Sequence, residues 1–414
     1  MKRGGERMEV EFYFDIACPQ AYLAYTQIEG LEARHGVQVV FKPVSLAGLY
    51  RIWTHHEEAP QSRLSPARRR MEHRDLMRQA EALQVFLNEA VTLDPPNSVD
   101  AMRLIVGAPA NLHPTLIRNL FQVLWVDGED VGNRGVLEWI AEVSGVDPAL
   151  MDRAEVRKEL DVATEVAANS GVFGVPGFRV DGRLWWGLDR MGFVERALGG
   201  APEMPSASHR PGGQIEFFHD FASPFSYLAA TQIEEFSARH GATLVWRPIL
   251  LGGLFKRIHT PLVPLSVMSR PRREYMARDL MDWAETWNVP FQFNSAFPLN
   301  TLLALRVALA VPALTLPLYR AAWADNRDIG QPEVIAQVIR EAGMVPEQVF
   351  SLAGKDEIKD RLRANTEAAE AMGACGVPTF RVNDRLVFWG QDRFDMVHRA
   401  LEGWMPAIDA QARI

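Results

Sequence analysis

Along Met8-Glu-Val-Glu-Phe-Tyr-Phe-Asp15, polar and apolar positions alternate and then turn continuously apolar, which predicts a strand buried on both faces. A helix is predicted from about Pro19, with Gly36 as its C′ residue after His35. Val37-Gln-Val-Val-Phe-Lys-Pro43 reads as a second strand, ended by its proline. This β-α-β unit places its two strands parallel, because the crossover returns the chain to the same edge of the sheet. Helix-like spacing then takes over at 69–87, 114–126 and 132–144. From Val175 to Trp186 the pattern returns to strand, Asp-Gly turn and strand, an antiparallel hairpin. A last helix is predicted near 189–198.

The whole pattern then occurs again. Asp15-Ile-Ala-Cys-Pro-Gln-Ala-Tyr-Leu-Ala returns as Asp220-Phe-Ala-Ser-Pro-Phe-Ser-Tyr-Leu-Ala, and Ala33-Arg-His-Gly36 as Ala238-Arg-His-Gly241. Arg74-Asp-Leu-Met77 returns as Arg278-Asp-Leu-Met281, Gly174-Val-Pro176 as Gly376-Val-Pro378, and Asp189-Arg190 as Asp392-Arg393. The second copy has helix-like spacing at 272–287 and 301–310. Residues 199–213, rich in Gly, Pro and Ser, read as an exposed linker. Two domains are expected, 8–198 and 214–404, with helical insertions at about 60–145 and 262–345. Each is roughly 190 residues, long enough for a full core.

Composition narrows the function classes. A net charge of −8 argues against general nucleic-acid binding, which needs a basic stripe. Arg68-Arg-Arg70 sits on a helix of mixed charge and reads as a solvated face. No apolar run reaches membrane-spanning length and the N-terminus has no signal-peptide core, so no membrane partner is expected. Two cysteines at non-equivalent places do not make a disulfide framework, and a reducing cytoplasm is the expected location.

The copies differ where chemistry is expected. Cys18 and Ser223 each fall between the first strand and a helix opened by proline, a point where free N–H groups and the helix dipole attract an anion. A thiolate there is expected to have a lowered pKa. A serine there caps the helix or donates a hydrogen bond to another molecule's thiolate. Taken alone, each has an ordinary reading: Ser before Pro is usually a cap, and a single Cys is usually an inert buried side chain. Each copy also carries a Val-Pro after a glycine, leading into a strand, and two copies of both elements in one order make coincidence a poor account.

The residues Phe-x-x-Asp-x-x-Ser-Pro-x-x-Tyr-Leu-Ala, Arg247-Pro-x-x-Leu-Gly-Gly-Leu254, Arg278-Asp-Leu280, Phe297-Pro-x-Asn-Thr301 and Gly376-Val-Pro-Thr-Phe380 resemble the 2-hydroxychromene-2-carboxylate isomerase family. That family belongs to the DsbA-like thioredoxin superfamily, with kappa-class glutathione transferases as relatives. The resemblance covers both copies and is stronger in the second, since the first has Cys18 for Ser and Lys42 for Arg. It implies an α/β fold of two tandem thioredoxin-like domains, each with an inserted all-helical subdomain, and glutathione as cofactor. Ser223 would hold the glutathione sulfur, and Cys18 takes its place in the first copy. Val377, before a cis-Pro378, would pair its backbone with the cysteinyl unit, and Asp392 would lie near the γ-glutamyl end. Val175, Pro176 and Asp189 are the matching residues of the first copy. The implied reaction is glutathione-dependent isomerisation or transfer on a small aromatic electrophile. The segments after Gly-Leu, His55-His-Glu-Glu-Ala-Pro60 and His259-Thr-Pro-Leu-Val-Pro264, depart from the family pattern.

Other residues receive plainer readings. Cys375 stands where the first copy has Phe173, and is expected to fill space. His55-His56 has no third ligand at suitable spacing, so no metal is expected. Trp185-Trp186 and Phe388-Trp389 are expected on a strand against the last helix, and Arg190 and Arg393 either meet an acidic substrate or pair with nearby carboxylates. Two alternative functions stand beside the first. One is thiol–disulfide exchange through Cys18 alone, since Cys18-Pro-Gln-Ala21 lacks a resolving thiol. The other is a binding or structural protein with a degenerate first site. The two copies are expected to pack as an intramolecular pseudo-dimer.

Overall fold

The first strand of each copy becomes the central strand of a sheet, which explains why its residues are apolar on both faces. The computed structural model describes residues 8–54, 64–200 and 212–411. Two compact units emerge, drawn mainly from residues 8–54 and 73–200 and from residues 212–268 and 273–411.

In the first unit, β1 (Glu9–Phe14) pairs parallel with β2 (Gln38–Pro43) and antiparallel with β3 (Gly177–Val180), which pairs antiparallel with β4 (Arg183–Trp186). The order is β2-β1-β3-β4. Register places Phe12 beside Phe41 and Phe178, with ring centroids 5.9 and 5.2 Å away. The expected hairpin turn is Asp181-Gly182, both residues left-handed at φ 50° and 81°, as a two-residue turn of this hand requires.

The helix expected from Pro19 to His35 is in fact two, α1 (Pro19–Tyr25) and α2 (Ile28–His35), the latter closed by a left-handed Gly36. The second copy's helix, Pro224–Arg239, runs unbroken. Thr26 and Thr231 bond back to Leu23 O and Leu228 O in the same way, so they do not explain the break. Tyr25 and Gly30, standing for Ala230 and Glu235, lower helix propensity there. The helical region continues through α3 (Leu46–Thr54), α4 (Pro66–Ala82), α5 (Glu89–Leu93), α6 (Val99–Gly107), α7 (His113–Gln122), α8 (Arg134–Val143) and α9 (Ala154–Asn169). The hydrophobic pattern did not reveal α9, which packs against α3 and β2. Thr164 in α9 accepts from Ser45 N–H at 3.0 Å, fixing it to the exit of β2. After β4 comes α10 (Met191–Ala197).

The second unit repeats the plan. β5 (Gln214–His219), α11 (Pro224–Arg239) and β6 (Thr243–Pro248) form the β-α-β unit. The helices are α12 (Leu251–Arg257), α13 (Arg270–Thr286), α14 (Leu302–Ala310), α15 (Thr315–Trp323), α16 (Pro332–Glu341), α17 (Pro346–Ala353) and α18 (Asp356–Ala371). β7 (Thr379–Val382), β8 (Leu386–Trp389), α19 (Phe394–Leu401) and α20 (Ala407–Gln411) complete it, in sheet order β6-β5-β7-β8. Both units therefore have the thioredoxin-like arrangement with helices inserted between its halves. Arg247 of the sequence motif has a structural role: it ion-pairs at 2.7 Å with the buried Glu216, which Arg381 also binds.

Two contacts shared by the units fix the site. Trp125 and Trp323, both fully buried, donate from Nε1 to Ile16 O and Phe221 O at 2.8 Å, tying the helical region to the loop that leaves the central strand. Trp186 and Trp389 lie over Gly174 and Gly376, where a Cβ would stand 2.9 Å from Nε1. Among the described residues no helix is long and apolar enough to cross a membrane. Gly376→Ala forces the Trp389 ring off the Gly-Val-Pro loop. It is expected to cost about 1–3 kcal/mol, lowering the second unit's midpoint in thermal unfolding by about 2–10 °C.

Candidate active site

The N-terminus of α11 is built by one residue with two hydrogen bonds. Ser223 has extended backbone, φ −104° and ψ 115°, so its side chain folds over the first turn. Its Oγ accepts from Ser226 N–H at 3.2 Å and donates to Val377 O at 3.1 Å. Val377 precedes the cis bond to Pro378, and Val175 precedes the cis bond to Pro176. The expected N-cap and the expected Val-Pro loop thus meet at hydrogen-bond distance. Pro378 O accepts from Gly390 N–H at 3.0 Å, which links this loop to the turn carrying Asp392. That turn packs against α11, and Arg393 pairs with Asp392 at 3.1 Å.

The first unit repeats the geometry with sulfur. Cys18 caps α1 with φ −96° and ψ 112°, and its Sγ–H donates to Val175 O at 3.4 Å. Gln20 Oε1, at 3.5 Å, is the alternative acceptor for that one proton, and the side chain makes no cap bond. Pro176 O accepts from Gly187 N–H at 2.9 Å, and the turn carrying Asp189 packs on α1. Arg190 stands 3.9 Å from Asp189. Both arginines therefore pair with a neighbouring carboxylate.

The lowered thiol pKa expected at Cys18 is not what this environment produces. Burial pushes it up to about 12, outweighing the lowering by the amides of Ala21 and Gln20, and the Asp15 charge adds a smaller rise. Only 5 % of the residue is exposed, so desolvation of a thiolate exceeds what one short helix terminus returns. Cys18 is therefore a thiol at neutral pH, occupying the place that the Ser223 hydroxyl has in the second unit and donating to the equivalent carbonyl, Val175 O. Cys375 is also buried, at 3 % exposure, beneath the loop where Phe173 packs on Trp186 in the first unit. Among the described residues no group of three metal-type ligands comes together. His55-His56 lies outside the described residues.

Beneath each cap sits a buried aspartate. Asp220 Oδ1 accepts from Ala222 N–H at 3.0 Å and Thr301 Oγ1–H at 2.7 Å, and Oδ2 accepts from Leu251 N–H at 2.7 Å. Asp15 does the same with Ala17 N–H, Ser98 Oγ and Leu46 N–H, at 3.0, 2.6 and 2.7 Å. Burial nevertheless raises both, Asp220 from an ordinary 3.8 to about 6.

Sequence reasoning missed three residues under the second cap. His219 Nδ1 and the Tyr319 hydroxyl are 2.9 Å apart, both fully buried, and the Ser226 hydroxyl faces Tyr319 without a well-formed hydrogen bond. The corresponding first-unit residues are Phe14, Phe121 and Ala21. That comparison was the available signal, and only a knowledge of which residues touch gives it meaning.

Two outcomes follow. Because the folded pKa of Asp220 is raised, its contribution to stability is complete below about pH 3.8 and is lost as pH rises through about 6, a change of about 3 kcal/mol. Because the buried His219 has the opposite pH dependence over the same range, the effect is read as a difference: in denaturant unfolding at pH 4 and pH 6.5, Asp220→Asn is expected to lose less, or gain more, stability on raising the pH than the parent chain does. Cys18 is expected to resist iodoacetamide and to form no mixed disulfide with oxidised glutathione at pH 7. Rapid labelling of the folded chain, read by peptide mass, would contradict its burial.

The sequence is similar to those of known proteins. Over 201 residues the chain is 29 % identical to 2-hydroxychromene-2-carboxylate isomerase of Sphingobium xenophagum, covering 45 % of this chain and 97 % of that protein. It is 29 % identical over 221 residues to human glutathione S-transferase kappa 1, covering 48 % and 96 %. A solved structure of a 2-hydroxychromene-2-carboxylate isomerase aligns with TM-score 0.40 and 24 % identity, over 46 % of this chain and 95 % of that one. The family model for the DSBA-like thioredoxin domain matches residues 9–199 and again residues 214–402. The chain belongs to the DSBA-like thioredoxin domain family, whose fold it carries twice.

Proposed function

We propose that the second unit binds glutathione with its sulfur at Ser223 and acts as an isomerase or transferase on a small aromatic electrophile. The observation that carries this reading is the Ser223 hydroxyl, held over the N-terminus of a 16-residue helix and 3.1 Å from the Val377 carbonyl. Its proton has two possible acceptors. Rotation toward a sulfur anion leaves the Val377 carbonyl open to an N–H of an extended peptide backbone, which suits a cysteinyl unit lying beside Val377 and Pro378. The Ser226 amide remains on Ser223 Oγ and the helix dipole favours the negative charge. Asp392, oriented by Arg393, is the proposed contact for the γ-glutamyl ammonium. Bound glutathione would supply a thiolate able to add reversibly to an electrophilic double bond and so permit cis/trans rotation. The chain's own part is to hold that sulfur deprotonated and oriented.

In the first unit Val175, Pro176 and Asp189 are the corresponding contacts, with Cys18 donating as serine does. The buried, protonated Cys18 favours a lobe that binds without supplying a nucleophile over thiol–disulfide exchange. Removing a charged-acceptor hydrogen bond costs about 1.5–3 kcal/mol. Ser223→Ala is therefore expected to weaken glutathione binding about 10- to 100-fold by calorimetry. Cys18→Ala is expected to leave the second unit's binding unchanged. Intact binding and turnover in Ser223→Ala would overturn the assignment.

A further inference from the structure

Three buried positions are polar in the second unit and hydrocarbon in the first, and all three lie beneath the helix cap. His219 and Phe14 each end the central strand. Ser226 and Ala21 are each the third residue of the helix that follows. Tyr319 and Phe121 each stand four residues before the tryptophan whose Nε1 bonds the strand-exit loop. In the first unit Phe14 and Phe121 simply pack, with centroids 6.1 Å apart. In the second, His219 Nδ1 meets the Tyr319 hydroxyl at 2.9 Å, and Tyr319 faces the Ser226 hydroxyl. The Ser226 N–H is the donor to Ser223 Oγ.

This arrangement is a poor choice for stability alone. His219 Nε2 is buried with no hydrogen-bond partner, and phenylalanine fills the same place in the first unit. Buried unsatisfied nitrogens are rare because they forfeit hydration, so their retention calls for a role. We propose that His219, Tyr319 and Ser226 form a buried positioning network that fixes the first turn of α11 and makes the Ser223 cap a stronger site for a sulfur anion than the Cys18 cap. The network works in either imidazole tautomer. If Nδ1–H donates, the Tyr319 hydroxyl proton is free to turn toward Ser226; if Nδ1 accepts, the Tyr319 oxygen lone pairs face the Ser226 hydroxyl, in either case as a dipolar contact and not a formed hydrogen bond. Polar atoms under the turn offset the desolvation that an anion suffers over hydrocarbon.

The groups facing the network are few. From the strand's own exit come Asp220 and Phe221, from β6 Trp246, and from α11 Tyr227, whose hydroxyl donates to Pro290 O at 2.7 Å. Burial pushes His219 down to about 3 and Tyr319 well up, with the Asp220 charge adding to the latter. Both stay neutral across the pH range in which a thiol titrates, so the network acts through dipoles.

The proposal shares with the glutathione reading only the sulfur at Ser223, and its test needs no ligand. Ser223→Cys, combined with Cys18→Ser in the full chain, places a reporter thiol where Cys18 shows one is accommodated. Its titration is followed by the pH profile of iodoacetamide labelling, read peptide by peptide so that Cys375 is counted separately. Adding Tyr319→Phe, the first unit's own residue type, is expected to lower the thiolate fraction at fixed pH about 10-fold, one unit of pKa. His219→Phe and Ser226→Ala are expected to shift it the same way. Superimposable pH profiles in the folded variants would overturn the proposal. The reciprocal set Phe14→His, Phe121→Tyr and Ala21→Ser is expected to raise labelling of the natural Cys18 about 10-fold at neutral pH. It decides the matter if the reporter chain does not fold, and an unchanged rate in a folded chain would overturn the proposal. If the chain bound no glutathione, the functional reading would fall while both titrations still decided the network.

Discussion

Each site depends on one buried carboxylate that gathers three donors from three elements. Asp220 joins the exit loop of β5, the start of α12 and the residue before α14, through Ala222, Leu251 and Thr301. Asp15 joins the equivalent elements through Ala17, Leu46 and Ser98. With the bond from Trp323 to Phe221 O, or Trp125 to Ile16 O, that junction holds the cap residue, the helical region and the sheet together. The arrangement is strong because every carboxylate oxygen is used, and costly because the charge is taken out of water. Repetition of all three bonds in both units, with Ser exchanged for Thr, makes the bracket a requirement of the fold and not of one unit's chemistry.

On that shared frame the two units differ in what they do to a negative charge. Each presents a proton to the carbonyl before the cis-proline, from oxygen at 3.1 Å or sulfur at 3.4 Å. The second adds a cap bond from the N3 amide and polar side chains behind it; the first offers a thiol over hydrocarbon. An exchange that looks at first like hydroxyl for redox thiol is therefore better described as one hydrogen-bond donor for another. Burial decides this, since the position of a sulfur at a helix terminus does not by itself lower its pKa when water is excluded.

Much of the architecture was legible. Alternation in β1, the Asp-Gly turn, Gly36 as a helix stop and the paired Val-Pro loops all follow from local rules whose causes are local. The split of the first helix was not, and beyond the lower propensity of Tyr25 and Gly30 nothing in the structure explains it. The helices α9 and α18 escaped as well. Their many charges blur the periodic pattern, and they are held in part by single threonine oxygens on distant backbone amides, Thr164 on Ser45 and Thr366 on Leu250.

Of the site, the sequence by itself determined which residues stand at the helix caps, where the prolines fall and that both occur twice in one order. Those are matters of spacing along the chain. Only the tertiary structure decided that Ser223 and Val377 share a hydrogen bond, that Cys18 is held as a thiol, and that His219, Tyr319 and Ser226 lie together beneath a cap. Each of these depends on which side chains exclude water from which atoms. Residues far apart in the chain, such as His219 and Tyr319, acquire that relation only when the helices close over the sheet.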